Sequence, residues 1–262
     1  MLNYGITAAL REAAKPVMDY LFGSVRRWVR KFMAPFWLRY LPPPCTPDRV
    51  IDTSATVAVR EFANAAPLGT TIFWAVTGAG KTAALTQGNV RVINWDRLSS
   101  ANVLDWFARQ INWSEDIGEF FRQEPFTTVA LDQFDRAMSA DKHAAIQLVV
   151  RLTNDSVTSG TFNVLVCLND PAHALDLLRD KAPGIALLGG PFCGRCTEDQ
   201  VRALHDTPLA IELGTASGTL ATAHQAAART TSIDLLRFRA AQAAAAWDRG
   251  EALLWAYRRD SA

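Results

Sequence analysis

Apolar residues follow two rhythms along this chain. Runs dominated by apolar and β-branched residues at 70–74, 90–94, 126–131 and 162–168 predict strands, those at 126–131 and 162–168 buried, as in a parallel sheet covered by helices. A shorter run at 184–188 predicts a last strand. Between them, apolar positions three and four apart predict helices over 99–111, 117–121 and 172–180. Strands alternating with helices over some 130 residues argue for an α/β domain. Beyond residue 193 the pattern is helical only: Thr197 stands as N-cap with Gln200 at the third helical position, and 213–220 opens another helix. The Ala-rich stretch 233–259 predicts one long helix or a helical hairpin, with any break near Gly250.

The N-terminus has a different texture. Leu21, Phe22, Val25, Trp28, Val29, Phe32, Met33 and Phe36 recur at helical spacing, with Arg26, Arg27, Arg30 and Lys31 between them. Residues 1–42 carry seven basic groups against Glu12 and Asp19, whereas the whole chain has a net charge of only +1. The rest is therefore acidic on balance. An aromatic face opposite a cationic one suits a helix lying on an anionic membrane surface through residues 20–40. A helix packed on the domain and an organelle-targeting segment are the alternatives. Pro42, Pro43, Pro44 and Pro47 then predict a stiff linker.

Composition narrows the function classes. A chain that is 49% apolar over 262 residues has material for a core, which excludes a disordered polymer. Four cysteines are too few for a disulfide scaffold, so a cytoplasmic or other reducing compartment is expected, with peripheral membrane association through the N-terminus. No apolar run is long enough to span a bilayer, and no secretory signal is expected. The pair Cys193 and Cys196 lacks a second pair at zinc spacing. Net charge does not indicate nucleic acid.

The chemistry concentrates in Thr70-Thr-Ile-Phe-Trp-Ala-Val-Thr-Gly-Ala-Gly-Lys-Thr82, a strand, a glycine-containing turn and a helix start. Gly78 and Gly80 let the backbone curl so that successive N–H groups face phosphate oxygens, Lys81 reaches the β and γ phosphates, and Thr82 offers a hydroxyl to Mg²⁺. A second buried strand ends at Asp132, where a carboxylate can hold Mg²⁺ beside a neighbouring phosphate loop. A third ends at Asn169 and Asp170.

These residues resemble the Walker A and Walker B motifs of P-loop NTPases, in the AAA+ and STAND-like group, over roughly residues 60–230. Ala75 stands where the first motif usually begins with glycine. The resemblance implies a three-layer P-loop NTPase core with a parallel sheet over 50–192, a small helical lid and C-terminal helices over 193–262, a Pro-rich linker at 42–49 and an amphipathic N-terminal helical segment over 1–41. It implies ATP and Mg²⁺ as cofactors, held by Thr77, Gly78, Ala79, Gly80, Lys81 and Thr82, with Thr82 and Asp132 on the metal. It also implies a homo-oligomer. Gln133 occupies the place of the family's catalytic acid, and an amide can hold a water but cannot take its proton, which puts about 10²- to 10⁴-fold of general-base catalysis in question. Asp135 is a substitute expected to face away. Asn169 resembles the sensor-1 residue on the strand between the two Walker strands; it equally reads as a helix start with Pro171. Arg179 resembles an arginine finger by location, and Arg195 is placed to reach nucleotide from the lid junction. No sensor-2 arginine is found. The expected activity is a slow or switch-like ATPase, the alternatives being a non-hydrolysing, nucleotide-stabilised scaffold and a viral-type helicase or packaging ATPase.

Overall fold

The computed structural model describes residues 53–86, 90–98, 102–111, 127–179, 184–188, 194–229 and 231–261. All fall within Pro42–Ala262, the second of the two units into which the chain divides. The basic, aromatic segment, the Pro-rich linker and the helix expected over 117–121 lie outside the described residues.

The chain opens on helix α1 (Ser54–Ala65), where the Thr53 side chain accepts from the Thr56 N–H at 3.1 Å. Strand β1 (Gly69–Trp74) follows, buried at every position. Next come α2 (Lys81–Thr86), β2 (Val90–Asn94), a 3₁₀ turn (Trp95–Arg97) and α3 (Val103–Ile111). Strand β3 (Thr127–Asp132) leads into the short α4 (Asp135–Ala140) and then α5 (Lys142–Ser159). Asp141 caps α5 through the Ala144 N–H, and Gly160 ends it with φ +64°. Strand β4 (Phe162–Leu168), α6 (Pro171–Arg179) and β5 (Ile185–Leu187) complete the sheet region.

Four helices remain: α7 (Glu198–Leu204), α8 (Pro208–Ser217), α9 (Leu220–Ala228) and α10 (Ile233–Ser261). The expected Thr197–Gln200 capping box is present. The 213–220 stretch does not open one helix but closes α8 at Gly218, φ +64°, and starts α9. No break occurs at Gly250; α10 runs through it, and glycine stands there because the position faces the indole of Trp74 and has no room for a side chain.

The protein is α/β, with a five-stranded parallel sheet in the order β2-β3-β4-β1-β5. The arrangement is compatible with three layers. The chain leaves β1 toward β2 at one edge and leaves β4 toward β5 at the other, so these neighbouring strands send their connections in opposite directions. Right-handed crossovers then put α2 on one face and α3, α5 and α6 on the other. Such divergence opens a crevice at the carboxyl ends of β1 and β4, where open α/β sheets take their ligands. The core around it is built from side chains such as Ile72, Phe73, Leu131, Phe134, Leu165 and Val166, all buried.

Candidate functional site

Three strand ends meet at the crevice. Strand β1 delivers the loop 75–80, β3 delivers Asp132, and β4, paired to both, delivers Asn169. The loop turns back on itself, with the Ala79 N–H donating to the Val76 carbonyl at 3.1 Å, and Gly78 and Gly80 sit at φ +85° and +93°. Side-chain-bearing residues rarely adopt those angles. At Gly78 a Cβ would also lie 2.8 Å from the Cβ of Ala221 in the first turn of α9, whose N–H donates to the Gly78 carbonyl at 3.1 Å. The helical segment after the sheet thus rests directly on the loop.

Lys81 is buried inside the curl. Its Nζ donates to the carbonyls of Ala75 and Val76, the latter at 3.2 Å, and to Asn169 Oδ1 at 2.7 Å. Burial pushes this ammonium down from its ordinary 10.5 to about 8, against the opposing pull of Cys167, Asp135 and Asp132. Beside it, the exposed Thr82 donates its hydroxyl to Asp132 Oδ2 at 2.7 Å. The other Asp132 oxygen accepts from the Gln133 N–H at 3.0 Å, and the carboxylate is 1% exposed. A buried carboxylate facing a hydroxyl is a hard, all-oxygen pair of the kind Mg²⁺ takes.

Of the residues expected at the site, Lys81, Thr82, Asp132 and Asn169 come together. Thr77 is exposed at the loop tip and Ala79 is buried beneath it. Gln133, at φ +60°, is a half-buried non-glycine residue in left-handed backbone immediately after Asp132. Strain of that kind persists where the surroundings over-determine it. Arg179 ends α6 as an exposed residue and is not joined to this cluster. Arg195 turns toward the C-terminal helix instead of the loop, its Nη1 lying 3.6 Å from both Asp248 and Glu251 on α10.

Two residues have larger roles than their sequence positions suggest. Asp135 does not face away: its Oδ2 accepts from the backbone N–H of Asn169 at 2.6 Å and from Asn169 Nδ2 at 2.9 Å. Its Oδ1 accepts from the Asp170 N–H at 3.0 Å and lies 2.9 Å from His173 Nδ1. With both oxygens engaged, Asp135 is a poor stand-in for a missing general base. His173 carried one legible signal, its place four residues after Asn169, one turn along α6. Trp74 closes the cluster, donating its indole N–H to the Asn169 carbonyl at 3.1 Å.

Among the described residues, no group of three or more His, Cys, Asp or Glu side chains is placed to hold a metal by itself, so a cation here needs oxygens from outside the protein as well. Likewise, no helix of the described residues is long and apolar enough to cross a membrane. The chain matches no protein-family model and no curated protein.

Proposed function

We propose that this chain is a Mg-ATP-binding P-loop ATPase of the AAA+/STAND-like kind, working slowly or as a switch. The observation that carries the reading is the meeting of Lys81 Nζ, the Thr82–Asp132 pair and Asn169 at the diverging carboxyl ends of β1, β3 and β4. A lone Gly-Lys-Thr in a loop would not bring a buried carboxylate within 2.7 Å of the threonine hydroxyl.

In this reading the amides of residues 77–82 and the Lys81 ammonium hold the phosphates, while Thr82 and Asp132 hold Mg²⁺, which supplies charge neutralisation at the phosphate oxygens. Lys81 exchanges carbonyl partners for phosphate oxygens, which restores to a buried ammonium the anionic partner that burial makes it need. Gln133 orients a water through its amide and takes no proton from it. Contact between α9 and Gly78 gives the helical segment, the proposed lid, a direct response to whatever fills the loop.

Calorimetry on the full chain with Mg²⁺ and ATP or GTP tests this. Heat of binding is expected, lost in Lys81→Ala; a well-folded protein that gives none with either nucleotide removes the reading. Turnover is expected to rise in Gln133→Glu. A second reading, a nucleotide-stabilised scaffold, is favoured by one observation: the position after Asp132 is an amide, and the carboxylate of Asp135 is already occupied by four donors. Tight binding with no turnover in either form selects it. The basic, aromatic segment 20–40 is proposed to meet anionic lipid, and deletion of residues 1–41 is expected to abolish co-sedimentation with anionic vesicles.

A further inference from the structure

Asn169 stands between two groups with opposite hydrogen-bonding needs. On one side the Asp135 carboxylate, which has no proton to give, accepts from Nδ2 at 2.9 Å. On the other, the Lys81 ammonium, which has no lone pair to offer, donates to Oδ1 at 2.7 Å. Rotating the amide by half a turn would set N–H groups against the ammonium and a carbonyl against the carboxylate. Two charge-assisted hydrogen bonds would be exchanged for two repulsions. The partners therefore determine which end of this amide is oxygen.

The backbone of Asn169 is held as firmly as its side chain. Its N–H donates to Asp135 at 2.6 Å and its carbonyl accepts from Trp74 Nε1 at 3.1 Å. Asp135 is in turn fixed through its second oxygen by the Asp170 N–H and His173.

We infer that Asp135 is a positioning residue that commits Asn169 to face the phosphate loop as a hydrogen-bond acceptor, so that Asn169 serves the Lys81 ammonium and not a phosphate oxygen. Phosphate oxygens are acceptors, and two acceptors facing each other share no hydrogen. The consequence for nucleotide rests on the reading proposed above: with Asn169 locked, a terminal phosphate gains nothing from it, and any preference for triphosphate over diphosphate comes from Lys81 and the cation alone. The group that Oδ1 welcomes is a donor, either the ammonium already there or a water turning a hydrogen toward it.

The test uses the full chain. In nitrogen–proton spectra the Asn169 side-chain amide, assigned by its loss in Asn169→Ala, is expected to exchange slowly with water and to show one proton shifted downfield. Both features are expected to vanish in Asp135→Ala. In calorimetry with magnesium, ATP and ADP, Asp135→Ala leaves only Lys81 to oppose rotation of the amide, so that Nδ2 turns to a terminal phosphate once that ammonium has itself moved onto phosphate, and the preference for ATP over ADP is expected to rise about tenfold above that of the wild type. A residue that only supports the fold would weaken both nucleotides together, and an unchanged ratio in folded Asp135→Ala overturns the inference. So does a freely exchanging Asn169 amide in the wild type, a result that does not depend on any variant folding. A slow, Asp135-dependent amide in a protein that binds neither nucleotide supports the orientation and removes the nucleotide reading instead.

Discussion

The hydroxyl of Thr82 lies 2.7 Å from Asp132 Oδ2, joining the first turn after the glycine loop to a carboxylate 50 residues away in the chain. Asp132 is 1% exposed, so this bond, together with the Gln133 N–H, holds a charge that water scarcely reaches. Thr82→Ala leaves one oxygen without its donor and is expected to cost about 1 to 3 kcal/mol, read by urea denaturation. Thr82→Ser keeps the hydroxyl and is expected to be nearly neutral. If the pair also holds Mg²⁺, the serine variant keeps magnesium-dependent thermal stabilisation by ATP and the alanine variant loses it.

Lys81 makes stability depend on pH with a defined sign. Burial lowers the ammonium from 10.5 to about 8 in the folded protein. Between those values the unfolded chain holds the proton and the folded one has released it, so stability rises with pH across that window; below pH 8 both states are charged and the penalty is complete. The rise amounts to roughly 3 kcal/mol at most. Unfolding free energies at several pH values from 7 to 10.5 are expected to show it in the wild type and to lack it in Lys81→Met. Parallel curves for the two proteins would mean that Lys81 is not buried as an ammonium.

Gln133 carries backbone strain at the site. A left-handed φ of +60° costs a non-glycine residue about 1 to 2 kcal/mol, part of which glycine returns as greater freedom in the unfolded chain. Gln133→Gly is expected to stabilise the protein by up to about 1 kcal/mol, a gain of some 2 to 4 °C in melting temperature. Any turnover is expected to fall in the same variant, since the amide proposed to orient water is gone. A lower melting temperature would show that the side chain contributes more than its backbone angle costs.

Much of the sheet could be read before any geometry was known. The 90–94 and 162–168 runs coincide with β2 and β4, because short stretches dominated by apolar and β-branched residues, broken only by Arg91 in one and Asn163 in the other, are too short for a helix and have few other uses. The segment 99–111 was harder, and α3 begins only at Val103. The Asn102 side chain accepts from the Asp105 N–H at 3.0 Å and starts the helix there. Asp135 and Arg195 were misplaced for a common reason. Each is oriented by partners 34 to 56 residues away, Asn169 and Glu251 among them, and local spacing carries no record of those contacts. Lys81, Thr82 and Asp132 were legible because glycines, lysine, hydroxyl and carboxylate sit at the ends of recognisable strands. The polarity of Asn169 needed the distances.

Gly250 sets two effects of opposite sign against each other. In the middle of α10, Gly→Ala normally gains about 1 kcal/mol from helix propensity. A Cβ there, however, would run into the six-membered ring of Trp74, which is 2% exposed, meets Trp247 edge-on at 5.2 Å between ring centroids and holds the Asn169 carbonyl. A buried indole pinned on two sides cannot move aside cheaply, so overpacking of about 1 to 3 kcal/mol is expected to exceed the propensity gain. Gly250→Ala should therefore destabilise the protein and alter its tryptophan emission. The two nearest atoms in the way, Cζ2 and Cη2, belong to the outer part of the indole that phenylalanine lacks, so Trp74→Phe makes room. A double-mutant cycle is expected to show Gly250→Ala restored to neutral or stabilising in the Trp74→Phe background, a coupling of about 1 kcal/mol or more. Simple additivity of the two substitutions would mean that α10 does not press on the strand that leads into the glycine loop.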